Sequence, residues 1–308
     1  MTRRYRVFVN SEAGSVGETD QLRADITTAF GELAIEAATD AVSPDDLPSA
    51  MREAWQHGVD AVVVAGGDGT VNCASQVAVD SDMVLGVLPM GTFNHFAKDL
   101  GMTPDLSAAV KFLSDAVVTA VDVGEVNGRV FVNNASIGVY PKMVGEREDI
   151  RARRGWGKIR AAPVAIVRTL RQLPVHHLRL VVDDAVPVDI LTPFLFVGNG
   201  LFDEHGERVG RRTSLTDQNL GVYVIVATSP WRLVANAVRA RLGGVKAAPH
   251  MDRRAGERLV VDSDQPVLEI ALDGEPTELR VPLEFRSRAG ALRVLAAPEP
   301  KPQPDAPR

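Results

Sequence analysis

The sequence contains one cysteine, Cys73, and this scarcity excludes an intrachain disulfide. A chain without disulfides fits a reducing compartment, so we expect a cytoplasmic protein. An excess of basic residues is also missing, because the net charge is −6. No overall positive field is therefore available to recruit nucleic acid. The histidines show no zinc-binding spacing.

Long apolar runs are missing as well. Residues 1–5 lack the apolar core of a signal peptide, and no stretch is long enough to span a bilayer. We therefore expect no transmembrane segment, and any contact with a membrane would be peripheral. The chain has no Gly-x-x-x-x-Gly-Lys-Ser/Thr sequence and no protein-kinase signature, which excludes those two classes of phosphotransferase.

A glycine-rich stretch at residues 62–72 is the most informative feature that is present. Three valines, typical of a buried parallel strand, run directly into Gly66-Gly67-Asp68-Gly69-Thr70, and a helical pattern follows. A strand, a glycine turn and a helix start direct free backbone N–H groups toward an anion. A carboxylate repels phosphate, so Asp68 makes sense there if it acts through a metal ion or holds a hydroxyl or water. An ordinary tight turn is the alternative.

A second stretch of the same kind follows. Residues 84–88 predict another buried strand, which leads into Pro-Met-Gly-Thr-Phe-Asn-His-Phe-Ala at residues 89–97. Neighbouring parallel strands would bring both loops to the same carboxyl edge of a sheet, where ligands bind in open α/β folds.

These two motifs resemble those of the diacylglycerol kinase catalytic-domain family of lipid kinases. The family carries a Gly-Gly-Asp-Gly-Thr loop, here residues 66–70, and a Pro-x-Gly-Thr-x-Asn-x-Phe-Ala segment, here residues 89–97. NAD kinases and phosphofructokinase-like folds share the first motif, whereas the second favours the lipid kinases. The resemblance implies a kinase of phospholipid metabolism. It would transfer the γ-phosphate of ATP, with Mg²⁺, to the hydroxyl of diacylglycerol or a related lipid at the membrane surface.

The chain of 308 residues suggests two domains. Strands alternate with helices in residues 1–124, which predicts a nucleotide-binding α/β domain with a doubly wound parallel sheet, NAD kinase/phosphofructokinase-like. Residues 125–290 consist mostly of short strands and predict an antiparallel, β-sandwich-like lipid-substrate domain. The resemblance implies that a strand at residues 291–295 returns to the first domain, and residues 298–308 predict a disordered tail.

A hairpin signal, Asn127-Gly128, marks the start of this second part. Six further strands are predicted after it, at residues 178–182, 190–197, 221–227, 259–262, 267–272 and 279–285.

The resemblance also implies roles for individual residues. Glu275, in Asp273-Gly274-Glu275, matches the catalytic base that would take the proton from the lipid hydroxyl, with Asp68 as the second catalytic residue. A simple turn would account for Asp-Gly without any function. Nucleotide contacts are implied for Asn10, Thr39, Gly66, Gly67, Asp68, Gly69, Thr70, Asn72, Gly91, Thr92 and Asn94.

Metal binding is implied for Asp68 and Asp122, and for the Mg²⁺ loop at residues 214–219 through Ser214, Asp217 and Asn219. A solvated strand acid is the alternative for Asp122, and a strand end or helix cap is the better interpretation of Thr39.

Three residues depart from the family pattern. Cys73 and His95 stand where the family commonly has Glu and Asp, so each removes a carboxylate near the proposed metal and phosphates. Gln218 follows Asp217 where the family more often has glycine. Cys73 and His95 support a rival hypothesis, a non-catalytic nucleotide- or lipid-binding module, whereas Gln218 counts only against the Mg²⁺ loop. The closer rival is a kinase of the same superfamily that acts on a sphingoid base, another lipid alcohol or NAD.

Two basic stretches are candidates for contact with an anionic membrane. Residues 147–160 carry six basic side chains around Trp156, and residues 231–246 carry four among apolar residues. The alternatives are a solvated basic helix and a helix that packs on the sandwich. A homodimer is left open by the sequence.

Overall fold

The structure, a computed structural model, describes residues 3–12, 16–138, 175–203, 212–225 and 251–298. The chain divides into two compact units. The first contains Met1–Val121 and Leu292–Arg308, and the second contains Asp122–Ala291. The predicted boundary after residue 124 and the boundary between the units both fall within one strand, β5 (Val117–Val126).

The first unit is built on a parallel sheet. Its strands lie in the order β2-β1-β3-β4, and the end of β16 (Leu283–Ala296) pairs parallel to β4 through Arg293 and Val294. The four strands are β1 (Arg4–Asn10), β2 (Glu36–Val42), β3 (Ala61–Gly66) and β4 (Val84–Pro89). Every residue of β3 and β4 is buried, as their apolar runs predicted.

Helices connect these strands. They are α1 (Val16–Glu32), α2 (Leu47–Gln56), α3 (Asp68–Ala78), α4 (His95–Asp99) and α5 (Leu106–Asp115). On α1, Ile26 and Phe30 are fully buried because they recur one turn apart on the face that packs inward. Asp105 caps α5 by accepting a hydrogen bond from the N–H of Ala108 at 2.8 Å. None of the helices among the described residues has the length and apolar character needed to cross a membrane.

The strand order determines where this sheet can bind a ligand. Moving outward from β1, the chain first goes to β2 on one side and then to β3 and β4 on the other. The loops after β1 and β3 therefore leave the sheet in opposite directions and open a crevice at the carboxyl ends of these strands. The α/β prediction for this part of the chain is confirmed.

The second unit contains a six-stranded antiparallel sheet in the order β12-β11-β10-β7-β14-β15. Its strands are β7 (Asn134–Gly138), β10 (Phe194–Asn199), β11 (Leu220–Ile225), β12 (Met251–Gly256), β14 (Val267–Leu272) and β15 (Glu275–Arg280). A second antiparallel group runs β16-β13-β8-β9, with β8 (His176–Val182), β9 (Val188–Thr192) and β13 (Arg258–Ser263). The predicted hairpin joins β5 to β6 (Arg129–Phe131), with Asn127 and Gly128 at positive φ.

One apolar core lies between these two groups of strands. Ile137, Leu195 and Val222 come from the six-stranded sheet, and Leu178 and Leu259 come from the other group. Alternate residues of each strand point into this core. The predicted antiparallel sandwich-like domain is therefore confirmed.

Two predicted strands are each divided by a proline. The prediction at residues 190–197 becomes β9 and β10 on either side of Pro193, and that at residues 279–285 becomes β15 and β16 on either side of Pro282. Proline has no N–H to donate to a ladder, so a strand pairing ends there. The strand predicted at 291–295 is the end of β16. The basic stretches at 147–160 and 231–246, and the tail from residue 299, lie outside the described residues.

Candidate active site

The first glycine loop joins β3 to α3. The helix begins at Asp68, with Gly67 as its N-cap, so the N–H groups of its first turn have no helical partners and face outward. At Gly66 a Cβ would collide with the side chain of Thr70. Glycine is therefore required for the strand to turn directly into the helix.

The second loop follows β4 and is closed by Asn94. The Oδ1 of Asn94 accepts a hydrogen bond from the N–H of Gly91 at 2.9 Å, and its Nδ2 donates to the carbonyl of Gly91 at 2.7 Å. Asn94 has φ +51°, a conformation that asparagine tolerates better than most residues. This asparagine holds the loop in one shape.

Asp68 joins the two loops. Its carboxylate accepts hydrogen bonds from the N–H of Asn94 at 3.0 Å and from the N–H of His95 at 2.8 Å. Gly67 and Gly91 touch, since a Cβ on Gly91 would lie 2.5 Å from the Cα of Gly67. Each carboxylate oxygen of Asp68 keeps acceptor capacity for a water or a cation. The sequence did not predict that Asp68 also organises the second loop.

Asn10 lies at the end of β1 and reaches the first glycine loop. Its Nδ2 donates to the Oγ1 of Thr70 at 3.3 Å, and its Oδ1 accepts from the N–H of Glu12 at 2.9 Å. Both residues lie at the crevice between the loops that follow β1 and β3. The structure therefore brings Asn10 and Thr70 together with the two glycine loops.

The remaining predicted nucleotide contacts differ in their surroundings. Thr92 is exposed in the second loop and Asn72 is half-buried on α3. Thr39 lies in the middle of β2, where its Oγ1 accepts a hydrogen bond from the hydroxyl of Thr27 on α1 at 2.9 Å. Among the described residues, no hydrogen bond joins the Thr39 side chain to either glycine loop.

The residues that depart from the family pattern have different environments. Cys73 is half-buried on α3, and burial raises the pKa of its thiol, an effect that Arg52 opposes and Asp45 reinforces. His95 is exposed at the start of α4, where its ring stacks on that of Phe93 with centroids 5.7 Å apart. Phe93 is 63% exposed, so this stacked pair presents an apolar surface beside the second loop.

In the second unit, Asp122 organises the predicted Mg²⁺ loop. Its carboxylate accepts hydrogen bonds from the N–H of Gln218 at 2.6 Å and from the N–H of Gly290 at 2.8 Å. Its own N–H donates to the carbonyl of Leu215 at 2.8 Å. Gln218 has φ +57°, which explains why glycine is favoured at this position. Asp122 is 6% exposed and is not a solvated strand acid.

The loop at residues 214–219 encloses a cavity of about 10 Å³, room for about one small ion or water. The residues that line it include Ser214, Asp217 and Asn219, whose side chains carry oxygen, together with Asp122 and Asn199. Oxygen is the donor that Mg²⁺ prefers, so the donor type fits that ion. No cluster of three His, Cys, Asp or Glu side chains occurs in the described part of the chain, so backbone carbonyls would have to complete such a site.

Asp273-Gly274-Glu275 forms the turn between β14 and β15. Asp273 and Gly274 both have positive φ, at +48° and +96°, as in a two-residue hairpin turn. The carboxylate of Asp273 accepts hydrogen bonds from the backbone of residues 132–134, whereas the side chain of Glu275 is exposed and forms no hydrogen bond or ion pair with any described residue. A turn thus accounts for the first two residues but gives no role to Glu275.

The sequence did not predict two features of the second unit, the role of Asn199 and an aromatic cluster. Asn199, 3% exposed, donates through Nδ2 to the carbonyls of Asp122 and Val132, and nothing in the local sequence signals this. An aromatic cluster was also missed. Phe194 and Phe196 alternate with the core residues of β10 and lie on the opposite face of the sheet, where Phe196 contacts Phe194, Phe202 and Tyr223.

Comparison of the sequence with protein families gives one relevant match. The family model described as the diacylglycerol kinase catalytic domain matches residues 4–126. A probable lipid kinase (YegS-like) of Pseudomonas syringae pv. tomato is 31% identical over 258 residues, which cover 81% of this chain and 80% of that protein. A diacylglycerol kinase of Bacillus subtilis is 33% identical over 140 residues, 44% of this chain and 46% of that protein.

The fold of this chain is also similar to those of solved structures. One Bacillus anthracis protein superposes with a TM-score of 0.76 at 22% identity, and the match covers 96% of both chains. A second structure, described as a diacylglycerol kinase of Bacillus anthracis, has a TM-score of 0.68 at 17% identity and covers 96% of this chain and 97% of that one. At these identities the likeness establishes the fold.

Proposed function

This chain belongs to the diacylglycerol kinase catalytic-domain family and is a lipid kinase, and from that premise we propose that it transfers the γ-phosphate of ATP to the hydroxyl of diacylglycerol or a related lipid. The observation that carries the proposal is the link made by Asp68, whose carboxylate accepts the N–H groups of Asn94 and His95. One carboxylate thereby joins two glycine loops at the ligand-binding edge of a parallel sheet.

We assign the phosphates of ATP to these loops. The first-turn N–H groups of α3 and the glycine backbone offer positive partial charge without a side chain to block approach. Asn10 and Thr70 add polar groups next to the turn. In phosphoryl transfer such positioning and charge neutralisation supply most of the catalysis.

We assign Glu275 as the general base. Its carboxylate is exposed and is not engaged by any described residue, so it is available to accept a proton. As the lipid oxygen forms its bond to the γ-phosphorus, the bond to the bridging oxygen of the β-phosphate breaks and ADP leaves. The hydroxyl proton goes to Glu275.

Mg²⁺, when bound, would neutralise phosphate charge. We propose Asp68 as its contact beside the glycine loops, because each oxygen of this carboxylate retains acceptor capacity. A second ion would be held by Ser214, Asp217 and Asn219. Asp122 would act there mainly by fixing the loop backbone, since its oxygens accept N–H groups and the residue is only 6% exposed, whereas Asp68 is half-buried.

The acyl chains of the lipid need an apolar surface. We assign them to the partly exposed rings of Phe194, Phe196 and Phe202, which lie with the buried Tyr223 on the sheet face opposite the core. Apolar area removed from water contributes about 25 cal/mol per Å², so even partial contact with an acyl chain is a sizeable driving force. The lipid class stays open, with a sphingoid base or another lipid alcohol as the rivals.

Transfer of labelled phosphate from Mg-ATP to lipids in mixed micelles tests the proposal, with diacylglycerol first and other lipid alcohols and NAD alongside. We expect phosphorylated lipid with the native protein. Glu275→Gln and Asp68→Ala should each reduce the rate by at least about 10²-fold, because each removes a group on which the transition state depends. Glu278→Gln, an exposed glutamate of the same strand, should leave the rate unchanged.

Binding of ATP without transfer to any lipid would instead support the non-catalytic binding module. Cys73 and His95 favour that second function, because both replace carboxylates of the family pattern. In that case His95→Asp with Cys73→Glu is the informative variant, since it restores the two carboxylates and should restore transfer. Phosphorylation of NAD alone would move the chain to the NAD kinase branch.

A further inference from the structure

The turn that carries Glu275 is held by its first residue. The carboxylate of Asp273 accepts three backbone hydrogen bonds, from the N–H groups of Val132, Asn133 and Asn134, at 2.8, 2.7 and 2.9 Å. The N–H of Asp273 donates in return to the carbonyl of Asn134 at 2.8 Å. A two-residue hairpin turn needs no such support, because its shape follows from Asp-Gly at positive φ.

The backbone segment that donates to Asp273, residues 132–134, is itself held by hydrogen bonds. The Nδ2 of Asn199 donates to the carbonyl of Val132 at 3.1 Å and to that of Asp122 at 2.9 Å, and its N–H donates to the carbonyl of Asn133 at 3.0 Å. Asp122 in turn holds Gln218. A continuous series of hydrogen bonds therefore runs from the loop at residues 214–219 to the residue two places before Glu275.

Among the described residues, no hydrogen bond or ion pair holds the side chain of Glu275, so the position of its carboxylate follows from that of the hairpin backbone. Glu275 is the first residue of β15, its side chain is exposed, and its backbone pairs only with Leu272 across the turn. A carboxylate at the end of a hairpin moves with the turn. Hydrogen bonds to a charged acceptor are stronger than neutral ones, so three of them on Asp273 restrict that movement.

We propose that Asp273 is a positioning residue for the proposed base: it fixes the turn so that the carboxylate of Glu275 is held in one place, and Asn199 supports it from behind. This inference rests on the proposed function. Asp273 acts through Glu275 and touches no substrate. Misplacement of a reacting group by about 1 Å can reduce a rate by 10²-fold, so the effect should appear in kcat.

The chain provides a matched control at another turn. Asp183 also has positive φ, and its Oδ1 accepts the N–H groups of Glu257 and Arg258, each at 2.9 Å, while its own N–H donates to the carbonyl of Arg258. Here too a carboxylate at a turn accepts backbone N–H groups, two on one oxygen where Asp273 accepts three on two oxygens, but no proposed catalytic group follows it.

The experiment compares Asp273→Asn with Asp183→Asn. Asparagine tolerates positive φ, but its NH₂ group replaces one carboxylate oxygen and cannot accept a hydrogen bond. At least one backbone N–H therefore loses its acceptor. We expect Asp273→Asn to lower kcat by 10- to 100-fold with the KM values for ATP and lipid within about twofold of native. Asp183→Asn should leave kcat within twofold and cost little thermal stability, because the single oxygen that accepts both N–H groups is kept in asparagine.

A double variant separates positioning from general destabilisation. In a Glu275→Gln background, Asp273→Asn should cause no further loss of rate, because the group that it positions is already gone. A further loss equal to that of the single variant would overturn the proposal. If Asp273→Asn yields too little folded protein, Asn199→Ala tests the same series one step away, with a severalfold loss of kcat at unchanged KM expected.

The outcomes distinguish the two proposals. A native rate for Glu275→Gln would refute the assignment of the base, and the positioning role would fall with it. A large loss for Glu275→Gln, with Asp273→Asn no worse than Asp183→Asn, would overturn the positioning role alone.

Discussion

At the residue scale, two aspartates of this protein act mainly on the backbone around them. Asp68 accepts the N–H groups of Asn94 and His95, and Asp122 accepts those of Gln218 and Gly290. A hydrogen bond to a charged acceptor contributes about 1.5–3 kcal/mol, and an N–H buried without a partner costs about as much. The carboxylates therefore set the shape of the loops before any ligand is bound.

The thiol of Cys73 is suited to a chemical test because it is the only one in the chain. Burial raises the pKa of Cys73, so at a given pH the native protein holds less thiolate, the reactive form, than the unfolded chain. We expect iodoacetamide to alkylate native Cys73 several times more slowly than Cys73 in urea at pH 8. The rate should rise with pH to an inflection above that of the unfolded thiol.

Equal alkylation rates in native and unfolded protein would contradict this environment for Cys73. The comparison needs no variant, and the unfolded chain at the same pH serves as the control.

At the element scale, the contact between the two glycine loops decides whether the edge of the sheet is assembled. Gly67 and Gly91 come from loops after different strands, and their backbones approach more closely than side chains would permit. Sequence periodicity predicted both strands and both loops. It could not predict this contact, because each loop satisfies its own local preferences without the other.

Gly91→Ala tests the contact. The new Cβ would lie 2.5 Å from the Cα of Gly67 and 2.8 Å from the Oδ1 of Asn94, so the loops must separate. We expect a loss of about 1–3 kcal/mol in the free energy of unfolding and weaker ATP binding. Urea denaturation and calorimetric titration with ATP measure the two effects.

The matched control is Gly31→Ala, in α1, where an added Cβ meets nothing within 4 Å. There alanine should stabilise the helix by about 0.5–1 kcal/mol, since glycine loses more conformational entropy on folding. A Gly91→Ala protein as stable as the native one would show that the loops do not need close approach.

At the scale of the whole molecule, the chain leaves the first unit within β5 and returns to it within β16. The last residues of β16 complete the parallel sheet through Leu292 and Val294, both fully buried, and Leu295, 4% exposed. The first unit therefore cannot be completed until nearly the whole chain is present.

Truncation after residue 291 tests this dependence. It removes three large buried side chains, each contributing about 1.5–3 kcal/mol, along with the buried Ala296, and it exposes the edge of β4. Because a domain has only about 5–15 kcal/mol of stability, we expect the truncated chain to be largely insoluble or to unfold at a much lower temperature.

Truncation after residue 298 is the control, and its unfolding temperature should match that of the full chain, since the sequence predicts a disordered tail there. Thermal unfolding and the soluble fraction on expression measure both variants. Comparable stability of the shorter variant would show that β16 is dispensable to the parallel sheet.

Features that depend on neighbouring residues could be predicted from the amino-acid sequence. Continuous apolar runs predicted β3 and β4, Asn127-Gly128 predicted the hairpin, and the glycine motifs predicted the loop positions. The breaks at Pro193 and Pro282 could also have been predicted from the sequence, because proline has no N–H to donate and so ends a strand ladder.

Contacts between groups far apart in the sequence became evident from the folded structure alone. Asp68 finds its partners 26 and 27 residues further along, and Asp273 finds one of its partners 140 residues earlier. The Asp-Gly pair specifies a turn locally. Which backbone N–H groups bond to the Asp273 carboxylate depends instead on the pairing of β14 with β7. Local preference acts over a few residues, whereas these hydrogen bonds depend on how whole strands are ordered and packed.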